Sequence, residues 1–355
     1  MNLNTFHWHS LKTRITLFTL SFFLISIWSL SFYSSYTLRN NMEQMLGEQQ
    51  FSTVSIIAVG INTELDNRLR AMENVAAKIT SAILGNAASM QAFLKDRPAF
   101  ESMFSGGVYV TRLDGTVIAD FPNVIGRIGI NYMDREWMPE VLKGKSTIGK
   151  PVMGKTLHAP VFVIAVPIRD TEGKMIGVLA GVINLGIPNF LDNFANKPYG
   201  KTGGYLLVAP QHKLFVTSTD KSRIMQPTTA PGINALFDRY MQGFEGSGVV
   251  VDSRGLEVLS SAKQIPVAGW ILIARIPTEE AFAPIRAMQQ HMLLATIFLT
   301  LLAGGLTRWM LKRQLAPVFT TIKTLATLSD TDHLTQSLPI TRQDEIGELI
   351  GSFNR

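Results

Sequence analysis

The chain has 355 residues, room for two modest domains, yet 46% of them are hydrophobic, only 17% are charged and the mean hydropathy is +0.17. That balance argues against a purely soluble protein. The absence of cysteine leaves any exported domain to fold on its core alone, without disulfides. The net charge of +6 does not read as nucleic-acid binding, because no Lys/Arg-rich stretch interleaves with aromatics.

The apolar excess sits near the two ends. No charge interrupts Ile15 to Leu38 (ITLFTLSFFLISIWSLSFYSSYTL), and none interrupts Ala287 to Thr307. Each run suffices for a bilayer core of about 30 Å, which takes about 20 helical residues. The first is predicted to be an uncleaved anchor: it is long, and no small-x-small cleavage site precedes Arg39. Lys12 and Arg14 precede this span, whereas Arg308, Lys312 and Arg313 follow the second. The positive-inside rule then predicts both termini in the cytoplasm (1–14 and 308–355), spans at 15–38 and 287–307, and an external segment at 39–286.

Residues 39–85 carry apolar side chains at helical spacing, Val54, Ile57, Ile61, Leu65, Leu69, Met72, Ile79 and Ile83 among them, with no proline. One long helix continuing out of the first span is expected there. The pattern then changes to strands and turns. GGVYVTRLDGTVIADFP reads as a hairpin turning at Leu113–Thr116, and GGYLLVAPQHKLFVTST repeats its Gly-Gly opening from Gly203. Each is followed by further strands: PVFVIAVPIRDTEGKMIGVLAGVINL, with a turn at Asp170–Lys174, and later SGVVVDSRGLEVLSSAKQIPVAGWILIARIP. The repeat predicts an α+β protein with two tandem antiparallel-sheet modules, a distal one at about 90–190 and a proximal one at about 200–280.

Residues 149–156, GKPVMGKT, spell the phosphate-loop pattern. That chemistry needs a helix leaving the loop, whose N-terminus holds the phosphates. The next residues, LHAPVFVIAVPI, read as a strand, so the match is taken as a turn. His158 and His212, the only histidines in the modules, are far apart in sequence and give a metal site little support. No nucleophile–base pair or paired-carboxylate motif points to catalysis, and no cofactor is expected. A tethered extracellular enzyme and a protein-binding scaffold stay open as alternatives to a sensor.

After the second span, Leu315, Val318, Ile322 and Leu325 fall at heptad spacing, and Ile346, Leu349 and Phe353 repeat it. The chain stops at Arg355 inside that second segment without a capping signal, so an output domain beyond it is expected.

Taken together, two membrane helices, a long external helix and the segments INYMDREWMPEVLKGKSTIGKPV, PVFVIAVPIRDTEGKMIGVLAGVINL and GWILIARIPTEEAFAPI resemble the double Cache sensors of bacteria. The resemblance implies an inner-membrane protein whose PAS-like modules lie in the periplasm, with a small molecule bound in the distal one. It places Arg135 and Trp137, in the D-R-x-W stretch, against that ligand, with Tyr109, Asp120, Met138, Met153 and Val182 as further pocket positions. A guanidinium suits a carboxylate and an indole supplies an apolar wall. The amino-acid-binding branch of the family has an acid where this chain has Val182, and an aromatic where it has Met138. An α-ammonium would lack its partner here, so an organic acid is the expected ligand. The segment from Leu315 resembles a HAMP linker, with Pro317 early in its first helix and Asp344-Glu345-Ile346-Gly347-Glu348 opening the second. That implies a homodimer signalling through Leu315, Pro317, Ile322 and Glu345 to a cyclase, kinase or chemotaxis output.

Overall fold

The computed structural model describes residues 11–195, 198–252 and 255–328, together with residue 351. Its elements run α1 (Leu11–Ala76), α2 (Ser81–Gly85), α3 (Ala87–Lys95), α4 (Ala99–Met103), β1 (Val108–Thr111), β2 (Val117–Phe121), α5 (Trp137–Leu142), β3 (Thr147–Ile148), β4 (Val152–Met153), β5 (Pro160–Arg169) and β6 (Met175–Asn184). They continue through α6 (Asp192–Ala195), β7 (Gly204–Ala209), β8 (Leu214–Ser218), α7 (Ala235–Met241), β9 (Gly246–Val251), β10 (Glu257–Ile265), β11 (Trp270–Pro277), α8 (Thr278–Ala281) and α9 (Ala283–Leu328). The fold is α+β: a long N-terminal helix, two antiparallel sheets and a long C-terminal helix. Two compact units divide it, residues 42–283 and the remainder.

In the first unit the two sheets have one topology. The distal sheet runs β2-β1-β6-β5-β3, with β4 also on β5, and the proximal sheet runs β8-β7-β11-β10-β9. Strand alternation gives each sheet two faces. Val108, Val110, Phe162, Ile164, Leu179 and Ile183 of the distal sheet share one core with Leu207, Val216, Leu272 and Ala274 of the proximal sheet. Into it α1 presents Val54, Ala58, Ile61, Leu65 and Met72, spaced three, four or seven residues apart on one helical stripe. Phe162 and Trp270 meet edge-to-face at 5.1 Å, joining the modules. Polar ties fix the register of α1: buried Gln50 accepts from Ser261 Oγ at 2.7 Å, and Arg68 Nε donates to the Met103 carbonyl at 3.0 Å.

The other face of each sheet is covered by a short helix. In the distal module Tyr109, Val161, Val163, Ala180 and Val182 pack beneath α5, which buries Trp137, Met138 and Val141. In the proximal module Leu206, Val208, Phe215 and Ile273 pack with Leu236 and Tyr240 of α7.

The long helix is shorter than its periodicity suggests. It ends at Ala76, and α2 starts at Ser81. The Thr80 hydroxyl accepts the Ile83 N–H and caps a new helix from an extended conformation, while the turn folds Ile79 into the core. Apolar spacing persists through the break, but the cap and the burial of Ile79 redirect the chain.

Two helical stretches are long and apolar enough to cross a membrane, within Leu17–Ala76 and Ala283–Met310. Phe18, Ile25, Phe32, Leu294, Phe298 and Leu301 all present exposed side chains. Where α1 and α9 meet, Thr296 Oγ1 bonds Ser31 Oγ at 2.8 Å and Gln289 Nε2 donates to Ser35 Oγ at 3.1 Å. Leu315, Pro317 and Ile322 lie on α9, and Glu345 lies outside the described residues.

Candidate functional site

The distal cavity opens between the outer face of the sheet, α5 and the segment 152–157. Its floor comes from alternate residues of three strands, Tyr109 of β1, Val161 and Val163 of β5, and Val182 of β6. Its roof is Trp137, the first residue of α5, with Tyr132 before it. Tyr109 and Tyr132 stack at 4.9 Å, and Trp137 tilts against Tyr132 at 6.5 Å. These rings make a mostly apolar lining with a few polar groups, as small-molecule sites have.

The charged groups of the lining are all cations. Arg127, Arg135 and Lys155 line the cavity, and neither an aspartate nor a glutamate does. Arg127 is 1% exposed. Its Nη2 donates to the Gly106 carbonyl at 2.8 Å, but Nε and Nη1 have no hydrogen-bond partner. The nearest carboxylate is Asp120, whose Oδ2 lies 4.0 Å from Nη1, beyond hydrogen-bond reach. Asp120 Oδ1 and the Tyr109 hydroxyl are also buried without partners. Unsatisfied buried groups of this kind cost about 1–3 kcal/mol each, more when charged. Burial raises the Asp120 carboxyl above its ordinary value, against the opposing Val124 N–H bond and the Arg127 charge. Burial likewise raises the Tyr109 hydroxyl well above its ordinary value; Tyr132 adds to the rise, and Arg127 and Arg135 oppose it.

Local backbone geometry explains how a guanidinium reaches this depth. Gly107 has φ +79°, and a Cβ there would stand 2.8 Å from the Phe121 carbonyl and 3.3 Å from Arg127 Nη1. The glycine pair that opens the hairpin therefore leaves the space that Arg127 fills and supplies the carbonyl it binds.

The other cations are closer to solvent. Arg135 is half-buried, and its Nη2 donates to the Met153 carbonyl at 3.0 Å. Lys155 Nζ donates to the Asn131 carbonyl at 2.7 Å and to Asp134 Oδ1 at 2.6 Å, which holds the Asp134 carboxyl below its usual range.

Four of the residues that the sequence singles out, Tyr109, Arg135, Trp137 and Val182, come together on the cavity wall. Three do not reach it. Met138 is fully buried in the core beside the cavity without lining it, Asp120 lies behind Arg127, and Met153 is exposed, contributing its carbonyl to Arg135. Sequence reasoning missed Arg127, Tyr132 and the 152–157 wall. The signal for Arg127 was faint: one cation between two glycines in NVIGRIGINY. GKPVMGKT is followed by a strand, β5, so no helix N-terminus faces it, yet Gly154, Lys155 and Thr156 line the cavity.

Comparison with known proteins agrees with this architecture. The sequence profile of the Cache domain matches residues 36–285, and that of the HAMP domain matches residues 309–355. Two curated relatives are the methyl-accepting chemotaxis proteins McpA of Pseudomonas putida (22% identical, covering 91% of this chain) and PctB of Pseudomonas aeruginosa (27%, covering 90%). The chain spans about half the length, 49%, of each. Among solved structures, the ligand-binding domain of PctB in complex with L-Gln superposes with a TM-score of 0.51 at 22% identity, covering 67% of this chain and 91% of that one. That of the Pseudomonas fluorescens chemoreceptor CtaA in complex with L-isoleucine gives 0.53 at 20%, covering 71% and 99%. At these identities the structures establish a shared fold. With the Cache profile covering most of its length, this membrane protein belongs to the Cache domain family.

Proposed function

We propose that this chain is the sensing and linker part of a transmembrane receptor that binds a small organic carboxylate in its distal module. The observation that carries this reading is Arg127, a buried guanidinium with two unpartnered nitrogens on a cavity wall that holds no acid. A carboxylate entering there would replace missing hydrogen bonds with charge-assisted ones. Arg135 and Lys155 line the more open side and suit a second anionic or hydroxyl group. The solved relatives were captured with L-Gln, L-isoleucine and, in PctC of P. aeruginosa, GABA. All share the carboxylate that these cations fit. The ammonium those ligands also carry would find no lining acid here.

The receptor reading places residues 39–286 outside the cytoplasm between spans at 15–38 and 287–307, with a HAMP segment from 308 passing the signal to a cytoplasmic output. Its support is the basic residues flanking both apolar runs and the HAMP match. The heptad seam from Leu315 supports a homodimer.

Titration calorimetry on the full chain in nanodiscs tests the ligand class. Paired acids of one carbon skeleton, such as lactate against alanine and 2-oxoisocaproate against leucine, should favour the member without the ammonium. Consistent preference for the amino acids would overturn the organic-acid reading.

A further inference from the structure

A second cavity lies in the proximal module beneath α7. Strand register shows that it occupies the same place in its module as the distal cavity. Aligning the Gly-Gly openings makes Leu206 the counterpart of Tyr109. The pairs Tyr109–Ala180 and Leu206–Ile273 then align β6 with β11, so Arg275 stands where Val182 stands. Val182 pairs with Val163 and Arg275 with Ser260 in the next strand over. All six lining residues in this correspondence, Tyr109, Val163 and Val182 below α5 and Leu206, Ser260 and Arg275 below α7, face a cavity. The repeat has therefore kept the hollow while changing its chemistry.

The new chemistry is a charged end on a chamber of mixed walls, in which Thr229, Asn234 and Ser260 stand among apolar side chains. Leu206, Phe215, Phe237 and Ile273 form the apolar walls. At the charged end Arg275 Nη1 lies 3.3 Å from Asp252 Oδ2, and both side chains are largely buried. The other oxygen of Asp252 accepts the Leu256 N–H at 3.1 Å, so this carboxylate is committed to the β9–β10 turn and to Arg275. Arg223 adds a second guanidinium, placed over the Phe215 ring at 5.5 Å from its centroid, and it makes no ion pair among the described residues. Among the lining residues two guanidiniums face one carboxylate, and the exposed Asp220, outside the lining, feels both arginines.

We infer that the proximal cavity is a second ligand site, taking a small monocarboxylate with an apolar body whose head meets Arg223 and Arg275. It differs from the distal site in kind. There the anchor is a deeply buried arginine under aromatic rings, whereas here the anion would sit at one end of a chamber whose aliphatic and aromatic walls also carry Thr229, Asn234 and Ser260. A compact hydroxy or keto acid suits the first and a benzoate-like or medium-chain acid the second.

The test uses the full chain in nanodiscs, with 4-fluorobenzoate and hexanoate as probes, followed by fluorine NMR and calorimetry. Arg127→Gln serves as the background, so that loss of the distal site and failure of the proximal one are separated. In that background the probes should still bind, and adding Arg223→Gln should weaken them on the order of tenfold. Arg223→Lys should recover part of the affinity, because it keeps the charge, which a merely structural role would not predict. Arg223 is half-buried and outside the strands, so the substitution leaves the sheet intact. Two results would overturn the inference: no binding of either probe at millimolar concentration, or binding abolished by Arg127→Gln and indifferent to Arg223→Gln.

Discussion

His212 Nδ1, in the turn between β7 and β8, lies 3.6 Å from Oε2 of Glu136, the residue immediately before α5. The proximal module thus touches the start of the helix that roofs the distal cavity. Glu136 is simultaneously bonded by Lys150, from the segment leading to the cavity wall, so three ionisable groups from both modules meet beside the site. Burial holds the His212 imidazole below its ordinary value of 6.5, with Glu136 pulling it up and Lys150 pushing it down.

That balance predicts a pH dependence. Because the folded value is depressed, the unfolded chain takes up the proton first as pH falls. Stability linked to neutral His212 is present above the ordinary histidine value and is lost as pH drops through the folded one. His212→Gln should therefore make the melting temperature less sensitive to acid below pH 6.5. Glu136→Gln should lower the His212 value further, read by the ring-carbon shifts in an NMR titration. An upward movement would mean that Glu136 is not the group raising it.

The two distal arginines should behave differently. Arg127→Gln removes a buried guanidinium and is expected to cost about 2–5 kcal/mol of carboxylate binding. Arg135→Gln loses a half-exposed group already engaged by the Met153 carbonyl and is expected to cost about 1 kcal/mol. Calorimetry on both variants decides it, and the reverse ranking would move the anchor to Arg135.

The GKPVMGKT segment should show no ATP binding, since β5 rather than a helix follows it. Lys155→Ala should nevertheless weaken the distal ligand slightly, by less than about 1 kcal/mol, because its partly exposed ammonium already pairs with Asp134. Micromolar ATP affinity lost on that substitution would reinstate the nucleotide reading.

For transmission, the proposed two-state element is the dimer seam at Leu315, Val318, Ile322 and Leu325. Ile322→Glu should uncouple output while leaving ligand affinity nearly unchanged, since a ligand biases output only through its differential affinity for two arrangements. Glu345→Ala should shift basal output if the acidic start of the second HAMP helix holds the membrane-proximal end of the first. The chain has no cysteine of its own, so single cysteines along the seam report pairing directly. Identical crosslinking rates with and without ligand would remove this seam from the mechanism.

Much of the architecture was legible in the linear pattern. The two uncharged apolar runs, the stripe from Val54 to Met72 and the recurrence of hairpins opened by Gly-Gly are local signals, because span length, helical period and turn chemistry are set by near neighbours. The α+β class and the paired sheets follow from them. The end of α1 at Ala76 was not legible, because apolar spacing continues through the break and only the Thr80 cap and the burial of Ile79 show it. Family likeness placed Tyr109, Arg135, Trp137 and Val182, and the fold brings them together. Arg127 was decided by tertiary structure alone. Its neighbour Ile125 is 97% exposed in the same loop, so no period marks one side chain as outward and the other as inward. What draws the guanidinium in is the space left by Gly107 and the carbonyl of Gly106, about twenty residues earlier in the chain. Likewise, GKPVMGKT reads as a turn in one dimension and becomes a cavity wall only when β5 and β6 pair beneath it, because contacts between distant segments carry no local imprint in either one.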